Sequence, residues 1–507
     1  MKRSTLILIG FILLKFVLQF TAINPVYELQ RDEYLHLDQA NHLAWGYISL
    51  PPFTSWVAVL IKLLGNGVFW VKFFPALFGA LTILLVWKII EQLGGNLYAL
   101  CIGTGAVTFS VLVRLNTLFQ PNSTDVFFWT LFYYVIIKYL HKQQAKWLYA
   151  AGVTAGFGFL SKYNFAFLLL GLLPALLLTE QRKLLTQKAF YAAIFIAFLI
   201  VLPNLVWQYT NHFPTLAQLN ELVKTQLDNV DRSIFVKDQF LFFINALVLV
   251  LAGLYALFFY PPFKKYRFVS IGYSITISFY IWLKAKSYYS IGLYPVLIAF
   301  GAVYMGVILQ QGWMQRLKPV VGLFVFVVAL PVLYISLPYK SPAVIKANNR
   351  VYKKVGMLRW EDGKEHDIPM DFADMVGWKE LAEKTDSVYK TVADKEHAIV
   401  LCDNYGQAGA INYYSRFKNI NAVSFNADYI NWMPLDKNIT TVILVKFKTD
   451  TSLQREQQLF QYVQRKAAIE NPYAIEKGSS IYLLQQPLTD INLLIKKEIS
   501  RRKMKVF

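Results

Sequence analysis

The chain contains few cysteines, and several familiar motifs are missing from it. Among its 507 residues only two are cysteine, Cys101 in an apolar run and Cys402 in the polar tail. Two cysteines in such different segments are not expected to meet, which excludes a disulfide framework. No H-x-x-x-H pattern or cysteine pair occurs, so zinc lacks its usual ligands. "NYGQAG" lacks the G-x-G-x-x-G spacing, which excludes a dinucleotide-binding loop there.

Acidic residues are also scarce. The chain has 31 Asp and Glu against 51 Lys and Arg, giving a net charge of +20, while 56% of its residues are hydrophobic. A soluble domain of this length is rarely so apolar, so the composition indicates an integral membrane protein. In such a protein an excess of Lys and Arg is typical of the cytoplasmic loops that set the topology.

Long apolar runs recur through the first two thirds of the chain. Because a spanning helix needs about 20 mostly apolar residues, the sequence predicts about eleven spans. These lie near 4–24, 68–90, 96–113, 124–140, 147–161, 164–179, 189–207, 236–259, 268–283, 289–309 and 319–337. The first run could be a cleavable signal peptide. It contains Lys15 and no small-x-small cleavage site follows it, so we interpret it as the first transmembrane helix.

The polar linkers between these runs alternate in character. Short basic linkers such as 141–146 and 261–267 belong in the cytoplasm. Longer segments of mixed charge, such as 25–67 and 208–235, then face the outside. With an odd number of spans, the tail after Leu337 also lies outside the cytoplasm.

The sequence changes character after Leu337. "HAIVLCDNYG", "NAVSF" and "TTVILVKF" are typical of buried strands, and "QAGAINYYSRF" is typical of a short helix. We therefore expect a transmembrane catalytic domain over 1–337, with its first outer loop at 25–67. An extracytoplasmic α/β domain over 338–507 is expected to follow it.

Carboxylates and aromatics are concentrated in the first outer loop, "RDEYLHLDQANHLAWGY". Asp32 and Glu33 follow the first apolar run and precede an amphipathic helix pattern, which "LPPF" at 50–53 ends. A solvated loop start is the ordinary explanation for such a pair. Other outer segments, however, also hold ionisable groups close to the bilayer, where they are costly unless they pair or line a wet cavity.

The basic and aromatic residues of those segments gather at the outer ends of the spans. For each basic residue alone, snorkelling toward the interface is a sufficient explanation. Together they outline a cavity with carboxylates on one wall and Lys, Arg and Tyr on another. A carboxylate can take a proton from a hydroxyl, and cations can neutralise a phosphate leaving group. The combination indicates transfer of a sugar from a lipid-phosphate donor.

These motifs resemble the polyprenyl-phosphate-dependent glycosyltransferases of the GT-C superfamily. The similar branch is the bacterial glycosyltransferase family 39, which is related to protein O-mannosyltransferases and aminoarabinose lipid A transferases. The matching segments are 32–53, 122–125, 158–163, 202–216, 284–295 and, in the tail, 371–414. The resemblance implies a hexosyl- or pentosyltransferase of the bacterial inner membrane, with its active site and tail facing the periplasm.

The resemblance also implies partners and residue roles. The partners are a polyprenyl-phosphate sugar donor, the bilayer, and a lipid, glycan or protein acceptor, with no nucleic acid. Asp32 matches the base of an inverting transfer, Glu33 binds the acceptor or orients Asp32, and Asp125 matches the second-loop acidic residue. Residues expected near the donor phosphate are Lys284, Lys286, Tyr288, Tyr289 and Arg114, with Lys162, Tyr163 and His212 as further candidates. Relatives commonly have Asp-His before the double proline, where this chain has Ser49-Leu50.

Three questions stay open at this level. The tail either binds the acceptor or only caps the active cavity. Asp32, Glu33 and His36 could bind a divalent cation, although the spacing of His36 and His42 is poor for one helix face, so no cofactor or metal is expected to be required. A transporter or flippase of a lipid-linked sugar is the alternative function. It is less favoured because no inverted repeat is evident and the charges gather on one side. A glycan-binding sensor would not need the Asp-Glu pair.

The orientation gives the first testable prediction. A periplasmic reporter, such as alkaline phosphatase, fused after Leu337 should be active, because the basic linkers hold the opposite ends of the spans in the cytoplasm. The same fusion after Lys146 should be inactive and serves as the control. Activity of a cytoplasmic reporter at Leu337 would show that the orientation is wrong.

Overall fold

The computed structural model of the chain describes residues 3–225, 231–360, 362–449 and 452–506. Residues 226–230 of the outer segment 208–235 lie outside this description. In chain order the α-helices are α1 (Arg3–Thr21), α2 (Arg31–Gln39), α3 (Phe53–Leu63), α4 (Val68–Gln92), α5 (Leu97–Thr108), α6 (Leu112–Leu115), α7 (Pro121–Lys142), α8 (Ala145–Ser161), α9 (Phe165–Leu177), α10 (Lys188–Thr210), α11 (Pro214–Thr225), α12 (Arg232–Leu241), α13 (Leu247–Phe259), α14 (Arg267–Trp282), α15 (Tyr294–Ile308), α16 (Lys318–Val327), α17 (Ala329–Ser336), α18 (Pro342–Ala347), α19 (Arg350–Lys354), α20 (Met370–Ala373), α21 (Trp378–Thr391), α22 (Tyr405–Tyr414), α23 (Gln454–Leu459) and α24 (Ile491–Val506). The strands are β1 (Ala398–Cys402), β2 (Ala422–Ser424), β3 (Thr441–Lys446), β4 (Phe460–Ala468) and β5 (Ser480–Pro487).

The chain divides into two compact units. The helical unit comprises Met1–Thr21, Leu50–Thr54 and Phe69–Leu337. The sheet unit comprises Ala22–Ser49, Ser55–Val68 and Pro338–Phe507. Most of the first outer loop therefore belongs to the sheet unit, whereas the sequence pattern assigned 25–67 to the transmembrane domain. The reason is physical: α2 is buried by side chains from the tail, and sequence order does not reveal contacts between segments so far apart.

The helical unit contains the apolar spans. Within the described residues, five helical segments are long and apolar enough to cross a membrane, or up to seven if each of two bent pairs counts as one span. The five are Arg3–Thr21, Val68–Gln92, Lys188–Thr210, Ser287–Ile308 and Gly312–Ser336. Each predicted span coincides with a helix or with two successive helical segments. A polytopic helical membrane protein is thus confirmed, and the count of eleven spans stays a prediction.

Helices of this unit approach one another closely at small residues. A methyl group at Gly301 of α15 would collide with the carbonyl oxygen of Leu249 in α13, and one at Gly253 of α13 would collide with that of Leu297. Small residues allow such close backbone packing in membranes, where lipid is as apolar as the helix surface. The α13–α15 pair therefore depends on the absence of side chains at these positions.

The charge within the first span has a partner. Lys15 is buried in the helical unit, and its Nζ donates to the carbonyl oxygen of Leu112 at 3.1 Å. Gln19, one turn later, donates to the carbonyl oxygen of Val113 at 3.2 Å. These bonds give partners to the donor groups of both side chains, which would otherwise be costly among apolar helices.

The sheet unit is built on a five-stranded sheet of order β2-β1-β3-β5-β4. β1 pairs in parallel with β2 and β3, whereas β5 pairs antiparallel with β3 and β4. The three predicted strands and the helix between the first two are all present, so the C-terminal α/β organisation is confirmed. β3 is buried along its whole length, as expected for a central strand that is covered on both faces.

The glycine contact between α13 and α15 gives a prediction on stability. Gly301→Ala should destabilise the chain by about 2 kcal/mol, because the added methyl group forces two packed backbones apart. Gly322→Ala is the matched control, since a methyl group at Gly322 would have no atom within 4 Å. The measurement is the melting temperature of the detergent-solubilised protein, and equal temperatures for both variants would contradict the described packing.

Candidate functional site

The start of α2 presents the two carboxylates that the sequence singled out. Gln30 and Glu33 form a capping box: the Gln30 side chain accepts from the backbone N–H of Asp32 at 3.0 Å, and Glu33 Oε2 accepts from that of Gln30 at 2.8 Å. Glu33 is fully buried. Its carboxylate therefore holds the helix start together, which is a structural task for a residue predicted to bind the acceptor or orient Asp32.

Asp32 has a different environment. About a third of its side chain is exposed, at 36%, and Tyr405 Oη donates a hydrogen bond to its Oδ1 at 2.6 Å. Because Asp32 lies in the first turn of α2, the positive end of the helix dipole also favours its negative charge. Asp32 thus combines access to solvent with a fixed carboxylate, the two properties that a general base requires.

A third carboxylate lies beside this pair. Asp374 Oδ2 accepts from Gln30 Nε2 at 2.6 Å and is 3.3 Å from Arg31 Nε. Burial raises the pKa of Asp374 well above its ordinary value; the Arg31 guanidinium opposes the rise and the Asp32 charge adds to it. Arg31 Nε is also 4.0 Å from Asp32 Oδ1, so one guanidinium lies near both carboxylates.

The far end of α2 is fixed in a similar way. Asp38 Oδ2 accepts from Asn412 Nδ2 and from Tyr429 Oη, both at 2.7 Å. Asp428 accepts from the backbone N–H of Ile48 at 2.8 Å and from Gln39 Nε2 at 3.0 Å. Burial raises the pKa of Asp38, and it raises that of Asp428 to about 6 although both hydrogen bonds act against the rise.

Asp125 belongs to the helical unit and is held firmly. It lies near the start of α7, where Trp129 Nε1 donates to Oδ1 at 2.7 Å and Asn164 Nδ2 donates to Oδ2 at 2.8 Å. Tyr280 in turn donates to Asn164 Oδ1 at 2.6 Å. Only 5% of the Asp125 side chain is exposed. With a donor on each oxygen and little exposure, Asp125 is placed to anchor its neighbours rather than to accept a substrate proton.

The neighbour that Asp125 stabilises is Lys162. Its Nζ lies 4.0 Å from Asp125 Oδ2, donates to Asn122 Oδ1 at 2.7 Å, and is 5.1 and 4.7 Å from the ring centres of Tyr288 and Tyr289. Both rings are within the distance at which a cation is attracted to an aromatic face. We call Lys162, Tyr288 and Tyr289 the lysine–tyrosine cluster. The sequence treated Lys162 as a further candidate only, yet it stands at the centre of this cluster.

The remaining candidates of the helical unit differ in position. Lys286 lies close enough to Lys162 for their charges to repel, and Lys284 stands in a left-handed turn with φ of 51° after α14. Arg114 Nη1 donates to Thr117 Oγ1 at 3.2 Å within its own segment. Tyr163 Oη accepts from Gln208 Nε2 at 2.8 Å, between α8 and α10. His212 is exposed in the left-handed turn after α10.

Within the described part of the chain, no group of three or more His, Cys, Asp or Glu side chains is arranged to hold an ion. His36, which the sequence offered as a ligand, is buried, and its Nδ1 lies 3.2 Å from Gln39 Oε1. Burial lowers the pKa of His36.

Several residues of these clusters were missed by the sequence argument. Trp129 follows Asp125 by one helical turn, a spacing at which side chains on one face meet, and this could have been noticed. Tyr405 lies within "NYGQAG", which was considered only as a dinucleotide-binding loop. No local sequence pattern distinguishes Asn164, Asp374 and Asp428 from surface residues.

Comparisons with known proteins agree with this architecture. Residues 49–207 match the family model described as dolichyl-phosphate-mannose-protein mannosyltransferase. That stretch is less than half of the chain and includes Arg114, Asp125 and Lys162. No curated protein sequence matches the chain significantly.

Solved structures are similar over most of the chain. ArnT from Cupriavidus metallidurans bound to undecaprenyl phosphate has a TM-score of 0.62 at 14% identity, covering 95% of this chain and 98% of that one. Its apo state gives 0.61 at 12% identity with the same coverage. At such identities the likeness establishes the fold. Together with the family match over 49–207, it points to the GT-C glycosyltransferase superfamily, in agreement with the expected class.

Another solved structure has a similar fold at lower identity. The archaeal oligosaccharyltransferase AglB from Archaeoglobus fulgidus, in complex with an inhibitory peptide and a dolichol-phosphate, has a TM-score of 0.50 at 10% identity. The match covers 86% of this chain and 69% of that one.

The buried Asp428 gives a prediction on pH. Its folded pKa of about 6 exceeds the ordinary 3.8, so the folded chain keeps a proton that the unfolded chain releases. Its contribution to stability is therefore fully present below pH 4 and is lost as the pH rises to about 6, a change of about 3 kcal/mol. Asp428→Asn should remove this loss. The difference in melting temperature between Asp428→Asn and the wild type should therefore shift in favour of the variant as the pH rises from 4 to 7.

Asp436→Asn is the control for this measurement, because Asp436 is exposed in the same unit. If the melting temperatures of Asp428→Asn and the wild type changed in parallel across this pH range, the raised pKa of Asp428 would be contradicted.

Proposed function

We propose that the chain transfers a sugar from a polyprenyl-phosphate donor to an acceptor hydroxyl, with inversion, and that Asp32 is the general base. The proposal places the reaction at the periplasmic face of a bacterial inner membrane. The observation that carries it is the lysine–tyrosine cluster in a chain of the GT-C fold. Lys162 is tied to Asn122 and lies over Tyr288 and Tyr289. Lys286 adds a second cation nearby.

These cations suit a phosphate leaving group. As the bond between the anomeric carbon and the phosphate oxygen breaks, its electron pair stays on the phosphate, where lysines stabilise the growing charge. Asn122 and the two rings restrict Lys162, so little reorganisation is needed when that charge develops. The ArnT and AglB structures contain undecaprenyl phosphate and dolichol-phosphate respectively, which supports a lipid phosphate as donor.

Asp32 supplies the other half of the chemistry. Its carboxylate takes the proton from the acceptor hydroxyl while the hydroxyl oxygen attacks the anomeric carbon on the face opposite the phosphate. Its exposed fraction and its bond to Tyr405 are consistent with this role. Buried Glu33 keeps α2 capped, and Asp125 keeps Lys162 in place. No metal or cofactor enters the proposed reaction.

The proposal predicts different kinetic effects for two variants. Purified protein is mixed with solubilised membranes from a strain that lacks the gene, which supply unspent donor and unmodified acceptor. Product is the new glycolipid or glycoprotein mass seen by mass spectrometry. Asp32→Asn should lower kcat by about a hundredfold or more, since it removes the base. Lys162→Met should both raise the apparent KM, obtained by diluting the membranes, and lower kcat, each by about tenfold, since it removes a cation that binds the donor phosphate and stabilises the charge growing on it.

The controls are Asp436→Asn and Lys188→Met, which change exposed residues of the sheet unit and the helical unit respectively. Normal turnover by folded Asp32→Asn would overturn the assignment of the base. Movement of labelled lipid across vesicles without any new glycosidic product would favour a flippase instead.

A further inference from the structure

The helix α22 begins from a firmly held turn. Asn404 and Gln407 form a capping box, and Gln407 Nε2 and Asn404 Nδ2 also donate to Glu476 at 2.7 and 3.1 Å. Glu476 is buried and accepts a further bond from Ser479 Oγ at 2.6 Å. Asn404 and Gln407, which flank Tyr405, are therefore both held by Glu476, and this fixes the backbone that carries the Tyr405 phenol.

Two glycines bring α22 unusually close to α2. A methyl group at Gly406 would lie 2.8 Å from Arg31 Cβ, and one at Gly409 would lie 2.7 Å from Tyr34 Cβ. Distances below 3.0 Å are not tolerated without movement, so any other residue would push α2 away. Gly406 and Gly409 are three positions apart, on one face of the helix. The "NYGQAG" motif is therefore a helix-packing surface, and the need for space explains its glycines.

The same face ends in a polar contact. Asn412, three positions after Gly409, donates through Nδ2 to Asp38 Oδ2 at 2.7 Å, while its side-chain oxygen Oδ1 accepts from the backbone N–H of Ala422 at 2.8 Å. Hydrogen bonds thus join α22 to α2 at Asp32 and again at Asp38, with the two glycines between them. This arrangement fixes both the position of α2 along α22 and its rotation about its own axis.

We propose that this face of α22, formed by Tyr405, Gly406, Gly409 and Asn412, positions α2 for catalysis and that Tyr405 is the positioning residue of the base Asp32. The inference rests on the proposed function, in which Asp32 takes the acceptor proton. A base works only while its carboxylate is oriented toward the substrate, and the 2.6 Å bond from the partly buried phenol of Tyr405 to Oδ1 restricts rotation of the Asp32 carboxylate. The tail thereby contributes to the reaction itself and does more than cap a cavity.

Tyr405→Phe tests the inference in the same membrane assay. Loss of the hydroxyl should lower kcat by about tenfold, the usual effect of removing a hydrogen bond to a charged group, with the apparent KM unchanged. Tyr414→Phe is the matched control. Tyr414 lies on the same helix and contacts Tyr34 of α2, with its Oη 3.4 Å from that of Tyr34, and it should keep kcat within twofold.

A second pair of variants tests the packing surface. Gly406→Ala should lower kcat by about tenfold or more, because the methyl group displaces Arg31 and with it the start of α2. Gly67→Ala should have no effect, because that glycine is exposed, has no atom within 4 Å of an added methyl group and needs no left-handed backbone. Melting temperatures measured on the same variants distinguish loss of the fold from loss of turnover.

The outcomes separate this inference from the proposed function. If Asp32→Asn is inactive but Tyr405→Phe turns over normally, the base assignment stands and the positioning role is wrong. Equal losses of kcat in Tyr405→Phe and Tyr414→Phe would show that the effect comes from general packing. That result would also overturn the positioning role. A further tenfold loss when Tyr405→Phe is added to Asp32→Asn would show that Tyr405 acts elsewhere. Normal activity of Asp32→Asn removes the proposed base and this inference with it.

Discussion

The buried polar contacts of α2 are the constraint on which the sheet unit depends. This nine-residue helix carries three buried acidic or amide side chains, those of Glu33, Asp38 and Gln39, and each such group costs free energy unless a partner satisfies it. Gln30 supplies the partner of Glu33 within the loop, but the tail supplies those of the other two: Asn412 and Tyr429 for Asp38, and Asp428 for Gln39. Because removing one partner would leave a buried charge, the first outer loop and the tail must fold as one unit.

This dependence decides where sequence reasoning succeeds. The apolar spans and the strands of the tail are encoded locally, by runs of hydrophobic residues of the right length and by turn residues between them. Both were therefore predictable, as was the short helix after "NYG". The assignment of α2 to the sheet unit was not, because it depends on pairs such as Asp38–Tyr429 that are 391 residues apart in the sequence. No periodicity or composition records such a pair.

The candidate site shows the same limit at the level of single residues. Ionisable residues next to apolar runs were found because charge near lipid is conspicuous in a sequence, and Asp32, Asp125 and Lys286 all belong to this group. Their separate roles could not be predicted, because each role depends on the residues that contact the side chain. Asp125 has a donor on each oxygen, whereas Asp32 keeps an exposed edge. Lys162 gained importance only through the rings of Tyr288 and Tyr289, which lie more than a hundred residues later.

These differences in environment have a chemical consequence. A general base must keep its charge and stay accessible, so burial cannot fix it in place as it fixes Asp38 or Asp374. Directional bonds from well-supported neighbours can do so without covering the carboxylate. The cap formed by Gln30 and Glu33 sets the start of α2, and Tyr405 donates to one carboxylate oxygen from a helix start that buried Glu476 holds through Asn404 and Gln407. The glycines of "NYGQAG" bring that phenol within reach, because any larger residue would keep α22 too far from α2 for a 2.6 Å bond to form.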